Sequence, residues 1–349
     1  MSSSRSAERS LLRARLSAQG LSGEPAPDVV VATRRLLAVQ AQDPRGARLA
    51  LRVRTAGGDA SAVDQALNDR SLIITWVNRG TLHLVAAEDE PLLHALTTPQ
   101  LRRSSDRRLA EEGVSPAAAK RGIAAIVKAL ATDGPMTRSE LRAVLEPARV
   151  PTAGQATTHI LFSATLDGLI VRGPMTGGEH AFALASDWLG ERPHLERDRA
   201  LAELARRYLA GHGPADQHDL AKWAQLPVRD ARAAFNAIAL ELEQHPAGLV
   251  DLKASAHGGA PLPPPLLLGP FDPLLLGWRS RTLVLDDPQE VVTVNGIIRA
   301  IALVKGRAAG TWTMPGGRVE LHLWDKQSRV TTAALERDAA AVEAYLAAG

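Results

Sequence analysis

Two stretches of this chain read alike. Gly134-Pro135-Met136-Thr137-Arg138-Ser139-Glu140-Leu141 and Gly213-Pro214-Ala215-Asp216-Gln217-His218-Asp219-Leu220 each set a Gly-Pro turn before an N-cap candidate, Thr137 or Asp216, with an acid three residues later. That is capping-box spacing, in which the cap and the acid satisfy each other's backbone N–H, so each stretch opens a short helix. A helical pattern precedes each one (Ala117 to Leu130; Glu196 to Ala210) and another follows (Gln155 to Leu166; Val228 to Leu240). The first set ends in two β-rich runs, Leu169-Ile170-Val171-Arg172 and Ala181-Phe182-Ala183-Leu184, around Gly177-Gly178. Helices followed by a two-stranded hairpin are the winged-helix pattern, and its recurrence points to tandem units rather than one large α/β domain.

Working outward, the N-terminal part fits the same plan. Ala7 to Gln19 carries Leu11, Leu12 and Leu16 at helical spacing and ends at Gly20; a second helix runs from Pro27 to about Val39. The segment Gln40-Ala41-Gln42-Asp43-Pro44-Arg45-Gly46 breaks the pattern, because the residue before a proline avoids the α region. Helices over Ala47 to Arg54 and Ala62 to Arg70 lead to strands at 72–76 and 81–85, joined by Asn78-Arg79-Gly80. Beyond residue 250 the composition changes. Pro261 to Pro265 reads as a stiff connector, and runs at 291–294, 297–304, 310–313 and 318–324 alternate with Gly turns before a last helix at about Thr332 to Leu346. The expected fold is α+β: three tandem winged-helix units over 1–112, 113–190 and 191–285, then a small antiparallel β-barrel with a C-terminal helix over 286–349.

Composition removes whole classes of chemistry. Among the 349 residues there is no Cys, which excludes disulfides, thiolate metal sites and a Cys nucleophile. No P-loop, dinucleotide fingerprint, zinc-protease helix, calcium loop or nucleophile elbow occurs, so no cofactor and no metal are expected; His212 and His218 lack a third ligand and read as helix-end surface residues. No apolar run is long enough to span a bilayer and no export signal is visible, so a cytoplasmic protein is expected. The net charge is only +3, yet the Lys plus Arg total of 41 is almost all Arg, with ten Arg against four acids in residues 1–55. Guanidinium forks match phosphate oxygens, so a basic stripe suits a nucleic-acid backbone; a solvated face is the plain alternative.

The run Leu37-Ala38-Val39-Gln40-Ala41-Gln42, the segment Arg79 to Val85, the Gly213-Pro214 helix start leading to Trp223, Phe271-Asp272-Pro273 with Gly277-Trp278-Arg279, and Val294-Asn295-Gly296 with Gly310-Thr311-Trp312 together resemble the AlkZ/YcaQ family of bacterial winged-helix DNA glycosylases. The likeness covers roughly residues 10–330. It implies three winged-helix units in a C-shape plus a small β-barrel, around duplex DNA. The family's catalytic signature is Gln-apolar-Gln or Gln-apolar-Asp. Gln40, Ala41 and Gln42 match the first form, the branch associated with bulky N7- and N3-alkylated purines and with interstrand crosslinks, including adducts of self-made antibiotics.

The chemistry of those residues fits the implied reaction. Alkylation at N7 or N3 leaves the purine cationic, so it departs neutral and needs no acid. What remains is a placed water and a polar environment for an oxocarbenium-like sugar. A carboxamide is no strong base, but its oxygen accepts from water, and residues two apart on extended chain point the same way with Ala41 turned inward. Asp43 is the nearest anion if a base is needed, or simply an N-cap before Pro44. No Lys precedes Lys120, which speaks for a monofunctional hydrolase over a Schiff-base lyase. Phosphate contacts are expected from Arg45, Arg48, Arg52, Arg79, Arg102 and Arg103, with Arg52 and Arg54 also open to structural roles. In the hairpin at 172–181, Arg172, Pro174 and Met175 fit either a lesion-probing wedge or a loose wing. His83 reads as a core histidine or a substrate contact. The expected partner is double-stranded DNA carrying alkylated purines, with no protein partner required. The competing functions are a non-catalytic winged-helix regulator and, less supported by the residues, a protein-interaction role.

Overall fold

In the computed structural model, which describes residues 2–348 apart from 256, 258 and 259, the chain is a mixed α+β protein whose sheets are antiparallel. Its N-terminal half runs α1 (Ser2–Ala18), α2 (Val29–Leu36), β1 (Val39–Gln40), α3 (Pro44–Arg52), α4 (Ser61–Asn68), β2 (Leu72–Val77), β3 (Thr81–Ala86), α5 (Glu90–Thr97), α6 (Arg102–Glu111), α7 (Pro116–Asp133), α8 (Arg138–Leu145) and α9 (Ala156–Leu166). There follow β4 (Ile170–Thr176), β5 (Glu179–Leu184), α10 (Ala185–Leu189), α11 (Arg197–His212), α12 (Gln217–Ala224), α13 (Val228–Ala237), β6 (Leu242–His245), β7 (Leu249–Leu252), β8 (Leu266–Leu268), β9 (Ile301–Val304), β10 (Arg307–Thr313), β11 (Glu320–Leu323) and α14 (Arg329–Ala347). The chain divides into two compact units: residues up to Val63 with those from Leu201 on, and residues 64–200.

Within the second unit, β3, β2, β4 and β5 lie side by side in that order. Trp76 packs against Phe162 edge-on and is stacked on Phe182, closing a core that includes Ile126, Leu141, Leu145, Ile160 and Leu161. The capping box expected at Thr137 is present: its hydroxyl accepts from the Glu140 N–H, and the Glu140 carboxylate accepts from the Thr137 N–H at 2.7 Å. Met136, just after the Gly-Pro turn, exchanges two backbone hydrogen bonds with Phe182 on β5.

The first unit repeats this scheme. Asp216 caps α12 through the N–H groups of His218 and Asp219, the Asp219 carboxylate reaches back to the Asp216 N–H, and Ala215 exchanges backbone hydrogen bonds with Val250 on β7. So both Gly-Pro turns sit between a long helix and a capped short one, and both place the next residue against the second strand of the following hairpin. The hairpin β6–β7 escaped sequence patterning because Leu242-Glu243-Gln244-His245 is mostly polar.

The C-terminal strands differ from expectation. Among the described residues they form an open four-stranded sheet in the order β11-β10-β9-β8, with no closed barrel. Val291–Val294 contributes only an isolated bridge between Val292 and Ile298, and the edge strand β8 comes from a run that patterning did not assign. The outer edge of β8 is already satisfied: the Leu267 N–H donates to Asp338 Oδ2 at 2.6 Å, and the Leu267 carbonyl accepts from Arg52 Nη2 at 3.3 Å. An edge capped by an ion pair has no backbone groups left for a closing strand. Leu49 of α3, Trp312 of β10 and Leu335, Val342 and Tyr345 of α14 share the core behind this sheet.

His212 is not a surface residue. It is fully buried, stacked on Tyr208 with ring centroids 4.7 Å apart and flanked by Trp223 and Trp278. The Gly213-Pro214, Trp223 and Gly277-Trp278-Arg279 elements thereby meet in one structural hub. The Tyr208 hydroxyl donates to the Gly277 carbonyl, the Trp278 indole to the His212 carbonyl, and the Arg279 N–H to Asp219.

Candidate active site

The segment between α2 and α3 belongs to the first unit and is held from both ends. At its start, α2 stops because Leu37 takes a positive φ, 63°, with ψ −41°, unusual for a bulky residue. Gly211 of α11 lies so close that a Cβ there would stand 2.1 Å from the Arg35 carbonyl oxygen. Arg35 in turn donates to the carbonyls of Ala18 and Ser17. At its end, Asp43 is the N-cap of α3, accepting from the Gly46 N–H at 3.0 Å, with Pro44 at the first helical position. Gly46 is pressed against the loop before Phe271: a Cβ on it would come within 2.5 Å of the Pro270 carbonyl oxygen.

Between these anchors Val39 and Gln40 form the short strand β1, and Gln42 and Asp43 follow in a bend that leads into α3. Ala41 is buried, and Gln40 Nε2 donates to Gln42 Oε1 at 2.9 Å. The two carboxamides therefore face each other. Gln40 is almost wholly buried and Gln42 is exposed, so one amide is fixed while the other meets solvent. The Gln42 oxygen has a second lone pair and its Nε2 two N–H groups, a neutral donor-and-acceptor pair beside the Asp43 carboxylate.

The first unit also holds a buried ion pair whose pairing no sequence pattern showed. The Arg54 guanidinium is clasped by Asp272 at 2.8 and 2.9 Å and also donates to the carbonyls of Gln19 and Ala50. Asp272 is fully buried and also accepts from the Leu274 N–H. Phe271-Asp272-Pro273 is thus a structural hub, joined to Arg54, two residues past the end of α3, by a bond between residues 218 positions apart.

The expected phosphate contacts separate into exposed and committed side chains. Arg45 is exposed beside Asp43. Arg48 is buried and donates to the Pro44 carbonyl, bracing the first turn of α3. Arg52 is spent on Asp338, at 2.9 and 3.0 Å, and on the edge of β8, which accounts for it structurally. On the second unit, Arg79 is half-buried in the β2–β3 turn, Arg102 is paired with Asp167, and Arg103 is exposed. Arg172 lies over the Phe182 ring, 5.5 Å from its centroid, and donates to the His180 carbonyl. Burial, with Arg138 nearby, pulls its guanidinium below the usual range. Pro174 and Met175 are half-buried on β4, and the Met175 N–H is bound to Asn68, so only the hairpin tip around Gly177-Gly178 stands clear. His83 is buried on β3 with Nδ1 against the Thr81 carbonyl; burial, reinforced by Arg79, pushes its pKa down to about 3, so the ring is neutral.

The family model for AlkZ-like DNA glycosylases matches residues 33–347, from α2 to the end of α14. The chain belongs to the AlkZ-like DNA glycosylase family. A curated AlkZ-like relative, the interstrand DNA cross-link repair glycosylase of Streptomyces sahachiroi, is 28% identical to it over 94% of this chain and 93% of the relative. The solved structure of the Streptomyces sahachiroi DNA glycosylase AlkZ superposes with a TM-score of 0.77 at 25% identity, covering 97% of this chain and 96% of that one. Among the described residues of this AlkZ-like chain, no helix is long and apolar enough to cross a membrane.

Proposed function

We propose that this protein is a monofunctional glycosylase that hydrolyses the N-glycosidic bond of cationic N7- or N3-alkylated purines in duplex DNA, including bulky adducts and interstrand crosslinks. The observation that carries the reading is the Gln40–Gln42 amide pair, held at 2.9 Å on a loop fixed at both ends with Gln42 open to solvent. The similarity to a cross-link repair glycosylase supports the choice of substrate class. Three winged-helix units over 1–112, 113–190 and 191–285 carry the DNA.

In this reaction the purine leaves with the bonding electrons, which cancel its positive charge. The Gln42 carbonyl oxygen accepts from a water molecule and aims it at C1′, while Gln40 fixes the Gln42 amide and turns its dipole toward the developing sugar cation. The water oxygen bonds to C1′, and its proton passes to solvent or to the carboxylate oxygen of Asp43 that does not cap α3. No amine takes part, so the product is an intact abasic site. Exposed Arg45 and Arg103, with half-buried Arg79 and Arg102, supply backbone contacts; Arg172 braces the β4–β5 hairpin, and Arg48 and Arg52 act by holding α3 and β8.

The test is base release from duplexes carrying N7-methylguanine or a nitrogen-mustard crosslink. Gln40→Ala and Gln42→Ala are expected to slow release by about a hundred-fold, as loss of one preorganised group does elsewhere, with duplex affinity retained. Release no faster than in the absence of enzyme, on every adduct, would overturn the proposal.

A further inference from the structure

Two helices stand at equivalent places in the repeated scheme, each after the capped short helix and before the hairpin, and they differ sharply in exposure. On the second unit, α9 buries eight of its eleven residues and is separated from α8 by residues 146–155. On the first unit, α13 follows α12 after only Gln225, Leu226 and Pro227. Gln225 takes the left-handed conformation, and the Leu226 N–H closes on the Ala221 carbonyl at 3.0 Å, which fixes a tight helix-turn-helix. Ala231, Ala234 and Phe235 bury one side of α13. Arg229, Arg232, Ala233 and Asn236 recur at helical spacing on the other and are exposed.

We propose that this face of α13 docks in the major groove of duplex DNA, as a contact separate from the Gln40–Gln42 loop. The inference rests on the reading that duplex DNA is the substrate. Arg232 and Asn236 have no partner among the described residues, and Arg229 touches only the adjacent Asp230. The acids of neighbouring elements are already committed: Asp219 to Arg15 and the Arg279 N–H, Glu241 to Arg206, and Glu243 to His245. The face is therefore cationic and amide-bearing, with the small Ala233 letting the helix backbone approach. Arg matches the N7 and O6 acceptors of guanine, and Asn matches the N6 and N7 edge of adenine. A helix after a tight turn, presenting one polar side along its length, has the geometry that enters a major groove.

The experiment measures equilibrium binding of the full chain to an undamaged duplex and to the same duplex built with 7-deazapurines, which lack N7 but keep the charge. The wild-type protein is expected to bind the 7-deaza duplex about ten-fold more weakly. Arg232→Ala and Asn236→Ala are each expected to weaken binding to the ordinary duplex by about ten-fold and to lose most of that discrimination, while the maximal rate of base release at saturating DNA stays unchanged. Equal affinity of the wild type for both duplexes, or full affinity in Asn236→Ala together with rescue by Arg232→Lys, would reduce α13 to a phosphate contact or a solvated face and overturn the inference. Loss of base release with these binding effects intact would instead remove the catalytic proposal and leave the docking face standing.

Discussion

Gln40 and Gln42 stand out in the sequence through the Gln-apolar-Gln signature of the family they resemble; spacing adds only that the two share a side, and the 2.9 Å amide contact agrees with it. Arg54 and Asp272 could not, since nothing in a linear pattern links residues so far apart in the chain. Removing one partner leaves the other charged and buried, so Arg54→Ala is expected to cost about 3–5 kcal/mol, read from the denaturant midpoint. His83 resolves toward the core reading, and its neutrality has a pH signature. The unfolded imidazole takes a proton below about pH 6.5, whereas the folded one does so only near 3. Stability is therefore full above about 6.5 and falls as pH drops through that window, by about 1.4 kcal/mol per pH unit within it. Denaturation midpoints between pH 7.5 and 4 should show this slope in the wild type and a shallower one in His83→Gln.

At the scale of elements, capping and turn chemistry were readable because they are local: Thr137 and Asp216 cap α8 and α12 as their spacing predicts. Sheet closure was not, because it depends on what meets the edge. Alternating strands suggested a barrel, but Arg52 and Asp338, one from α3 and one from α14, satisfy β8 from outside. The same pair anchors α3, whose N-terminus carries the Gln loop. Gly46 sets how near α3 comes to Pro270, so Gly46→Ala forces a shift at the first turn. It is expected to cost about 1–3 kcal/mol in thermal stability. By moving Gln42 it should also slow base release by ten-fold or more, since misplacement of about 1 Å at a reacting centre is worth up to about a hundred-fold. A Gly46→Ala protein with the wild-type rate would show that the loop is not positioned from α3.

For the whole molecule, the repeated helix-and-hairpin scheme and the excess of Arg over Lys were visible in the sequence, whereas the division into two units, one built from both ends of the chain, was not. Contacts between distant segments, such as Arg15 with Asp219 and Tyr345 with the Arg48 carbonyl, create that first unit, and such pairings leave no periodic trace. The charge of the lesion is decisive in the proposed reaction: a neutral amide pair suffices only because the departing base is already cationic. Single-turnover base release from one duplex carrying N7-methylguanine, set beside the same duplex carrying 7-methyl-7-deazaguanine, tests this directly, because the second base has the same shape without the charge. The first base is expected to be released, dependent on Gln40 and Gln42, and the second not at all. Comparable release of both, or undiminished release of the first by the Gln40→Ala, Gln42→Ala double variant, would contradict it.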